Sequence, residues 1–271
     1  MKMNEIESSL MELVRRAGDI MLSAHEEGKN CESSVKVKPG VANFVTEYDV
    51  AVQNFLIDGI KKILPSALFV AEEKDNDDVS LAGEYCFIID PIDGTTNFIH
   101  NARRSCISLA MLSYGETVFG CVYDPYMKEM FYAEKGKGAF LNGKPIFASD
   151  CETSTSVVAF GTAPYYRDTM TDMSFAYAKD VYLSAADLRR SGTAALELAY
   201  IASGRIDGFF ELSLFPWDIA AGVLIATEAG AIVTRMNGEP IHLKGVCSLL
   251  AGNRKNYADL LNLSEKYKFE I

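Results

Sequence analysis

The chain has 271 residues, of which 49% are hydrophobic and 23% are charged, a composition typical of a globular protein rather than a disordered or fibrous one. It carries 26 Lys and Arg residues against 37 Asp and Glu residues, so its formal net charge at pH 7 is −11. This charge repels the phosphate backbone of nucleic acids, which argues against a nucleic-acid partner. Any smaller anionic ligand is repelled as well, unless a bound divalent cation intervenes.

The N-terminal segment and the cysteines indicate where in the cell the protein is located. Glu5, Glu7 and Glu12 interrupt the first apolar residues, whereas a signal peptide has a basic start followed by an apolar stretch. No apolar run is long enough to cross a bilayer, so we expect no membrane partner. We expect a cytoplasmic protein with reduced thiols, because the six cysteines include no C-x-x-C pair: Cys31, Cys86, Cys106, Cys121, Cys151 and Cys247.

Helical spacing of apolar residues predicts two helices in the first quarter of the chain. The first covers residues 6–21, and the second starts at Asp49 and stops at Pro65. Between them, the polar stretch 26–45 predicts a loop or a hairpin.

From residue 67 onward, short apolar runs separated by acidic or glycine-containing breaks predict buried strands. In the first half of the chain these are residues 68–71, 86–89, 106–112 and 118–123, followed by a hairpin that ends near Lys144 and is punctuated by Gly136, Gly138, Asn142 and Gly143. In the second half we predict strands at 157–160, 208–212, 231–234 and 248–251, and helices at 193–203 and 219–229, the latter closed by Gly230. Because no flexible linker is present, we predict two halves, residues 1–148 and 149–271, packed as one compact body.

The sharpest local signal is segment 90–98, Asp-Pro-Ile-Asp-Gly-Thr-Thr-Asn-Phe, directly after the strand predicted at 86–89. It places Asp90 and Asp93 at the carboxyl end of a strand, where ligand clefts open in layered sheets. The Asp-Gly pair predicts a turn into a helix, whose amides suit a phosphate group. Alone, such a pair is more often a structural turn than a site.

Further acids occupy matching positions, which strengthens the functional interpretation. Glu72 and Glu73 follow the strand predicted at 68–71, while Asp49 and Asp218 are N-cap candidates for two helices. If these acids converge at one edge of a sheet, they form an all-oxygen cage of the kind that magnesium prefers.

Other site chemistries fit less well. With three histidines and no paired cysteines, a zinc site is not expected, and His100 and His242 are predicted to be loop residues. An aspartyl-phosphate phosphatase of the haloacid dehalogenase type needs Asp-x-Asp, whereas this chain has Asp90-x-x-Asp93. A calcium-binding EF-hand loop begun at Asp90 has the wrong residues at its third, fifth and twelfth positions, which are Ile92, Gly94 and Asn101.

Taken in order, these motifs resemble the inositol monophosphatase family, which belongs to the fructose-bisphosphatase-like metal-dependent phosphatases. The resemblance covers nearly the whole chain, and stretches 189–195 and 209–211 are most similar to bacterial members. It implies an α+β fold arranged as a layered α/β/α/β/α sandwich, a homodimer and sensitivity to lithium. Its anchors are segments 71–73 (Ala-Glu-Glu), 90–98, 217–222 (Trp-Asp-Ile-Ala-Ala-Gly) and 228–230 (Glu-Ala-Gly).

The resemblance also implies a set of metal ligands. One magnesium ion is expected at Glu72, Asp90 and the carbonyl oxygen of Ile92. A second is expected at Asp90, Asp93 and Asp218, and a third, weaker ion shares Glu72.

The remaining implied roles concern water and substrate. Thr95, supported by Asp49 and working beside Glu72, orients the water that attacks phosphorus. The amides of Gly94 and Thr95 hold phosphate oxygens. The other substrate contacts implied are Asp93, Ala194 and Glu211, which meet substrate hydroxyls, and Lys38, which lies near the site.

The implied activity is magnesium-dependent hydrolysis of a small phosphomonoester by direct attack of water, with inositol monophosphate the leading substrate. Fructose 1,6-bisphosphate, histidinol phosphate and 3′-phosphoadenosine 5′-phosphate remain alternatives, as does a metal-binding regulatory protein without catalysis. Two residues depart from the family pattern. Ala71 stands where a glycine commonly precedes the Glu pair, and Phe215 stands where several members carry a polar or basic residue, which bears on substrate preference.

Overall fold

The computed structural model describes residues 3–25, 35–37, 44–76, 79–267 and 269. Within them the chain forms these α-helices: α1 Met3–Ser23, α2 Glu47–Ile63, α3 Thr95–Ile99, α4 Arg167–Ser184, α5 Ala194–Ala202, α6 Pro216–Glu228 and α7 Tyr257–Ser264. Its strands are β1 Lys36–Val37, β2 Phe44–Val45, β3 Leu68–Ala71, β4 Cys86–Asp93, β5 Cys106–Ser113, β6 Glu116–Asp124, β7 Glu129–Glu134, β8 Ala139–Leu141, β9 Lys144–Ile146, β10 Val157–Phe160, β11 Asp187–Arg189, β12 Gly208–Leu214, β13 Ile232–Thr234 and β14 Cys247–Gly252. No helix in this described part combines the length and the apolar character needed to cross a membrane.

The strands form two large sheets and a small ribbon. The seven-stranded sheet has the order β3-β4-β5-β6-β7-β8-β9, with β3 and β4 parallel and all later neighbours antiparallel. The five-stranded sheet has the order β11-β10-β12-β14-β13, parallel among the first three strands and antiparallel among the rest. Strands β1 and β2 form a separate antiparallel ribbon.

Alternate side chains of β4 point to opposite faces of the seven-stranded sheet, and helices cover both faces. Phe87 and Ile89 pack with the apolar faces of α1 and α2, whereas Cys86 and Ile88 pack with α5 and α6. Neighbouring strand residues point to opposite faces, so an unbroken apolar run is what a strand buried on both sides requires.

The five-stranded sheet is also covered on both faces. Phe209 of β12 packs with α5 and α6, while the next residue, Phe210, packs with α4 and α7. Helices α5 and α6 therefore lie between the sheets, α1 and α2 cover one outside face, and α4 and α7 cover the other. The layered α/β/α/β/α sandwich of an α+β protein, expected from the sequence, is confirmed.

Two acidic residues occupy helix positions that differ from the prediction. The N-cap of α2 is Thr46, and Asp49 lies three residues later, where its Oδ2 accepts the backbone N–H of Thr46 at 2.7 Å. Asp218 likewise lies three residues after the N-cap of α6, Phe215, and accepts its N–H at 2.7 Å. Predicting these acids as N-caps was wrong, because a carboxylate at this third position reaches back to the cap.

Most predicted elements are present, with shifts of a few residues at their ends. Asn142 and Gly143 have φ values of 48° and 81° and form the hairpin turn between β8 and β9, as expected of such a pair.

The described cysteines are free, and Cys31 lies outside the described residues. The hairpin predicted within 26–45 is seen in part, as the β1–β2 ribbon, since residues 26–34 and 38–43 are not described. The boundary between residues 148 and 149 remains our proposal; it lies between β9 and β10.

Helices α4 and α7 and strand β11 were not among the elements predicted from the sequence. Helix α4 buries a narrow stripe that includes the polar Ser174 beside Tyr177, Ala178 and Val181. Helix α7 buries only Leu260 and, again, a serine. Such mixed stripes give weak apolar periodicity, which explains why both helices escaped a prediction based on spacing.

Candidate active site

A cleft of about 210 Å³ opens where several elements end. Its lining comes from the ends of β3 and β4, the turn into α3, the loop after β10, strand β12 and the first residues of α5 and α6. Asp49 lies behind Thr95, and Lys38 lies outside the described residues. The other residues predicted for the site all line this cleft: Glu72, Asp90, Ile92, Asp93, Gly94, Thr95, Ala194, Glu211 and Asp218.

An irregularity in β4 brings its two carboxylates to the same side. Asp90 is paired with Ser108, and Asp93 with Cys106, so β4 advances three residues while β5 advances two. In a regular strand, residues three apart point to opposite faces. The extra residue of this β-bulge reverses the alternation, and both carboxylates line the cleft. Asp90 stabilises the bulge by accepting the N–H of Ile92 at 3.0 Å.

Helix starts contribute to the same cleft. Asp93 Oδ2 accepts the N–H of Ala195 in the first turn of α5 at 2.8 Å. The N-cap residue of α5, Thr193, makes no capping hydrogen bond through its side chain. A carboxylate from the seven-stranded sheet therefore caps a helix of the middle layer. The positive ends of α5 and α6 both face the acidic cleft, which partly offsets its negative charge.

Thr95 and Asp49 are linked, as expected from the resemblance. The Thr95 hydroxyl lies 3.3 Å from Asp49 Oδ1 and 3.1 Å from the carbonyl oxygen of Ile92. Asp49 is fully buried and its other oxygen accepts hydrogen bonds from the backbone and hydroxyl of Thr46, at 2.7 and 2.5 Å. These bonds fix the carboxylate so that Oδ1 faces Thr95.

The turn at Gly94 requires glycine. Its φ is 86°, and an added Cβ would lie 2.3 Å from Cγ2 of Thr193, so a side chain is excluded by both conformation and contact. Asn97 then ties this turn to the loop before α5, donating from Nδ2 to the carbonyl oxygens of Arg104 and Ser191, each at 2.8 Å. Asn97 belongs to segment 90–98, but the sequence predicts no role for its side chain.

The carboxylates of the cleft are strained electrostatically. Burial, followed by the charges of Glu72, Asp93 and Asp218, raises the pKa of Asp90 well above its ordinary value. Burial also raises the pKa of Asp218, and it raises that of Asp93 to about 7 although the Ala195 amide opposes it. Folding thus holds like charges together, an arrangement that a cation relieves.

The donor set fits magnesium. The acids that line the cleft supply only oxygen, which hard divalent ions prefer. Their burial and mutual repulsion create a demand for positive charge. Among the residues that the structure describes, no three Asp, Glu, His or Cys side chains already form a cluster tight enough to hold an ion. The carboxylates therefore converge on one cleft, and the cage around an ion stays a prediction.

Ala71 occupies its position without strain. It is a fully buried residue of β3, and the side-chain amide of Asn76 bonds to its N–H at 3.0 Å and to its carbonyl oxygen at 2.8 Å. The next N–H, that of Glu72, donates to the carbonyl oxygen of Ile89 at 3.2 Å. The chain therefore needs no glycine here to present Glu72 to the cleft.

Tyr165, Arg167 and Arg190 are among the cleft residues for which the sequence predicts no role. Tyr165 and Arg167 follow β10 in the segment Ala-Pro-Tyr-Tyr-Arg, which matches no motif. The available signal was the pair of aromatic residues and the arginine after a strand end, which is too general to predict a site.

Comparison with known proteins agrees with this architecture. The sequence profile of the inositol monophosphatase family matches residues 2–268. The Nus factor SuhB of Escherichia coli strain K12 is 37% identical over 227 residues, which cover 83% of this chain and 82% of that protein. The crystal structure of extragenic suppressor protein suhB from Bartonella henselae is similar with a TM-score of 0.86 and 31% identity, over 96% of this chain and 98% of that one. An IMPase from Thermotoga maritima gives a TM-score of 0.85 and 31% identity, over 97% and 98%. This chain belongs to the inositol monophosphatase family.

Proposed function

We propose that this chain is a magnesium-dependent phosphatase that hydrolyses a small phosphomonoester, with inositol monophosphate the leading substrate. The observation that carries the proposal is the meeting of four acids, Glu72, Asp90, Asp93 and Asp218, in one cleft beside the Gly94 turn. Bound cations offset the repulsion between these acids and an anionic substrate, and phosphatases of this kind use paired metal ions.

The proposed ligands of the first ion are Glu72, Asp90 and the carbonyl oxygen of Ile92. Asp90, Asp93 and Asp218 would hold the second ion, and a third, weaker ion would share Glu72. When bound, magnesium ions lower the pKa of a water and stabilise the departing alkoxide. The raised pKa values of Asp90, Asp93 and Asp218 support this assignment, because a bound cation favours the ionised carboxylates.

Thr95 is proposed to orient the attacking water. Its hydroxyl lies within hydrogen-bonding distance of both the Ile92 carbonyl oxygen and Asp49 Oδ1. In the proposed mechanism it donates its single proton to Asp49, and its oxygen accepts a hydrogen bond from water. Burial raises the pKa of Asp49 to about 6, so this carboxylate is suited to accept a proton through Thr95 near neutral pH. Glu72, which lines the same cleft, is proposed to work beside Thr95 as a metal ligand.

The substrate is proposed to bind through backbone and acidic groups. The amides of Gly94 and Thr95 hold phosphate oxygens, as amides at a helix start do. The Ala194 N–H, in the first turn of α5, is suited to a substrate hydroxyl. Asp93 and Glu211 already accept the amides of Ala195 and Ala163, and their remaining lone pairs are proposed to meet further hydroxyls. Lys38 is also proposed to lie near the bound substrate.

The decisive experiment replaces Asp90 with Asn. We expect Asp90→Asn to abolish magnesium-dependent phosphate release from inositol monophosphate and to leave the circular dichroism spectrum unchanged. Asp172→Asn, a change at an exposed residue of α4, is the matched control and should keep full activity. Full activity in Asp90→Asn would refute the proposal. A panel containing fructose 1,6-bisphosphate, histidinol phosphate and 3′-phosphoadenosine 5′-phosphate tests the substrate.

A second role is favoured by the names of several relatives. Proteins named Nus factor SuhB share 36–37% identity with most of this chain, and a regulatory role in transcription does not require turnover. Binding of magnesium to the wild-type protein without phosphate release from any substrate of the panel would favour this alternative. Homodimer formation and lithium inhibition, also proposed from the resemblance, are measured by light scattering and by adding lithium to the phosphatase assay.

A further inference from the structure

The loop formed by residues 161–166, which joins β10 to α4, contributes to the wall of the acidic cleft. Glu211 holds it from one side, accepting the N–H of Ala163 on Oε1 at 2.9 Å. Arg190 holds it from another, donating from Nη2 to the hydroxyl of Thr162 at 3.0 Å. Because both anchors are themselves cleft residues, the position of this loop is tied to the shape of the cleft.

The backbone of the loop is bent sharply at Ala163. This residue has φ 43° and ψ 60°, in the left-handed region that residues with a Cβ rarely occupy. The hydrogen bond to Glu211 and the following Pro164 hold the bend in place. The next residue, Tyr165, consequently lines the cleft.

A stack of aromatic rings positions Tyr165 from behind. Its ring meets Phe215 edge-on, with centroids 6.2 Å apart and an interplanar angle of 61°. Phe215 in turn stacks on Trp217, at 4.8 Å and 4°, and Trp217 directly precedes Asp218 in the chain. Edge-to-face and stacked contacts restrict ring orientation, so the phenol is set relative to the start of α6.

The phenol of Tyr165 belongs to a residue that lines the same cleft as Glu72, Asp90 and Asp218. A tyrosine hydroxyl has an ordinary pKa of about 10, so it carries its proton at neutral pH and can act as a hydrogen-bond donor. The residue is still 38% exposed, which leaves it open to an incoming ligand.

We propose that Tyr165 is a substrate-contacting residue whose hydroxyl donates a hydrogen bond to an oxygen of the substrate phosphate, and that Phe215 is the residue that positions its ring. This inference rests on the proposed phosphatase function. In the transition state of phosphoryl transfer, negative charge is spread over the three equatorial oxygens of the phosphoryl group, so a neutral donor placed among carboxylates stabilises these oxygens without adding charge to the cleft. Phe215, which departs from the family pattern, thereby gains a role in this chain.

The test compares two adjacent tyrosines. Tyr165→Phe removes the hydroxyl and keeps the ring, while Tyr166→Phe makes the same change at a neighbour that is 37% exposed and does not line the cleft. We expect Tyr165→Phe to lower kcat/KM for the best substrate about 10- to 100-fold, as for loss of a hydrogen bond to a charged group. It should also weaken inhibition by inorganic phosphate. Tyr166→Phe should match the wild type in both measurements.

The positioning role of Phe215 is tested separately, by measuring kcat/KM in single and double variants. Phe215→Ala should lower kcat/KM in the direction of Tyr165→Phe, and Phe215→Tyr, which keeps an aromatic ring, should restore it. In a background that already carries Tyr165→Phe, Phe215→Ala should cause little further loss, because the group that it positions is gone. Circular dichroism confirms that each variant is folded.

The outcomes separate this inference from the function on which it rests. If the wild type releases phosphate and Tyr165→Phe equals it, the inference is overturned and the phosphatase function stands. If the wild type hydrolyses no substrate of the panel, the proposed function fails. In that case, calorimetry with inorganic phosphate and magnesium tests whether Tyr165 contacts phosphate. Equal affinity of the wild type and Tyr165→Phe for phosphate would overturn the inference as well.

Discussion

Replacing Asp93 with Asn should stabilise the metal-free protein while it abolishes phosphatase activity. Asp93 is only 8% exposed, and burial, with the charges of Glu211 and Glu72, raises its pKa from 3.8 to about 7 against the opposing Ala195 amide. At about 1.4 kcal/mol for each pH unit, ionising this carboxyl costs the folded state up to about 4 kcal/mol relative to the unfolded chain. Asparagine keeps an oxygen for the Ala195 N–H and carries no charge.

The gain in stability has a defined dependence on pH. Below about pH 4 the carboxyl of Asp93 is protonated in both states, so the substitution gains nothing. As pH rises from about 4 to about 7, the unfolded chain releases its proton first, and the wild type loses stability relative to Asp93→Asn. Above about pH 7 the gain is complete. Because neighbouring carboxyls share the repulsion, we expect about 2–4 kcal/mol, a rise in Tm of roughly 5 °C or more.

Thermal unfolding followed by circular dichroism, with a chelator present, measures this effect at about pH 5 and about pH 8. The exposed Asp172→Asn should show no such pH-dependent gain. With magnesium in excess the order should reverse, since only the wild type keeps every proposed ligand. A lower Tm for Asp93→Asn at both pH values without metal would refute the reasoning, because it would mean that the hydrogen bond to Ala195 outweighs the burial of charge.

Two further substitutions test the water-orienting pair and the phosphate turn. Asp49→Asn keeps an oxygen for the capping bond, which turns its NH2 group toward Thr95 and removes the acceptor for the Thr95 hydroxyl. We expect kcat to fall about 10- to 100-fold with KM nearly unchanged; steady-state kinetics would contradict this if KM alone rose. Gly94→Ala places a Cβ 2.3 Å from Thr193 at a φ of 86°, so we expect a loss of at least about 1–2 kcal/mol of stability, measured by urea unfolding. An unchanged unfolding midpoint would contradict it.

The sequence predicted those parts of the fold that depend on local periodicity. Strand β3 coincides with the predicted range 68–71, and α5 falls within the predicted range 193–203, because unbroken apolar runs and strong spacing report burial directly. Helices α4 and α7 escaped because polar residues interrupt their buried stripes. Their position is set by contacts with the five-stranded sheet, which local spacing does not encode.

The candidate site also contains features that the sequence predicted and features that depend on contacts between distant residues. Most of its acids were predicted because they follow strands or open helices, and Glu211 was predicted from the family resemblance alone. The structure brings them into one cleft. The bulge that turns Asp90 and Asp93 to the same side depends on the register between β4 and β5. This register is a property of strand pairing and cannot be read from the local sequence. Tyr165 was missed for a related reason, since its place depends on Glu211 and Phe215, both distant in the sequence.

The arrangement of the cleft places stability and function in opposition. Asp93 and Asp218 each accept an amide at the start of a helix, so these acids also stabilise the middle layer of the fold. Burial, followed by the charges of neighbouring carboxylates, nevertheless raises the pKa values of Asp90, Asp93 and Asp218, which makes their ionised form costly without a cation. If the phosphatase proposal is right, ion binding stabilises the fold and prepares the site through the same carboxylates, so Tm and phosphatase activity should rise over the same range of magnesium concentration.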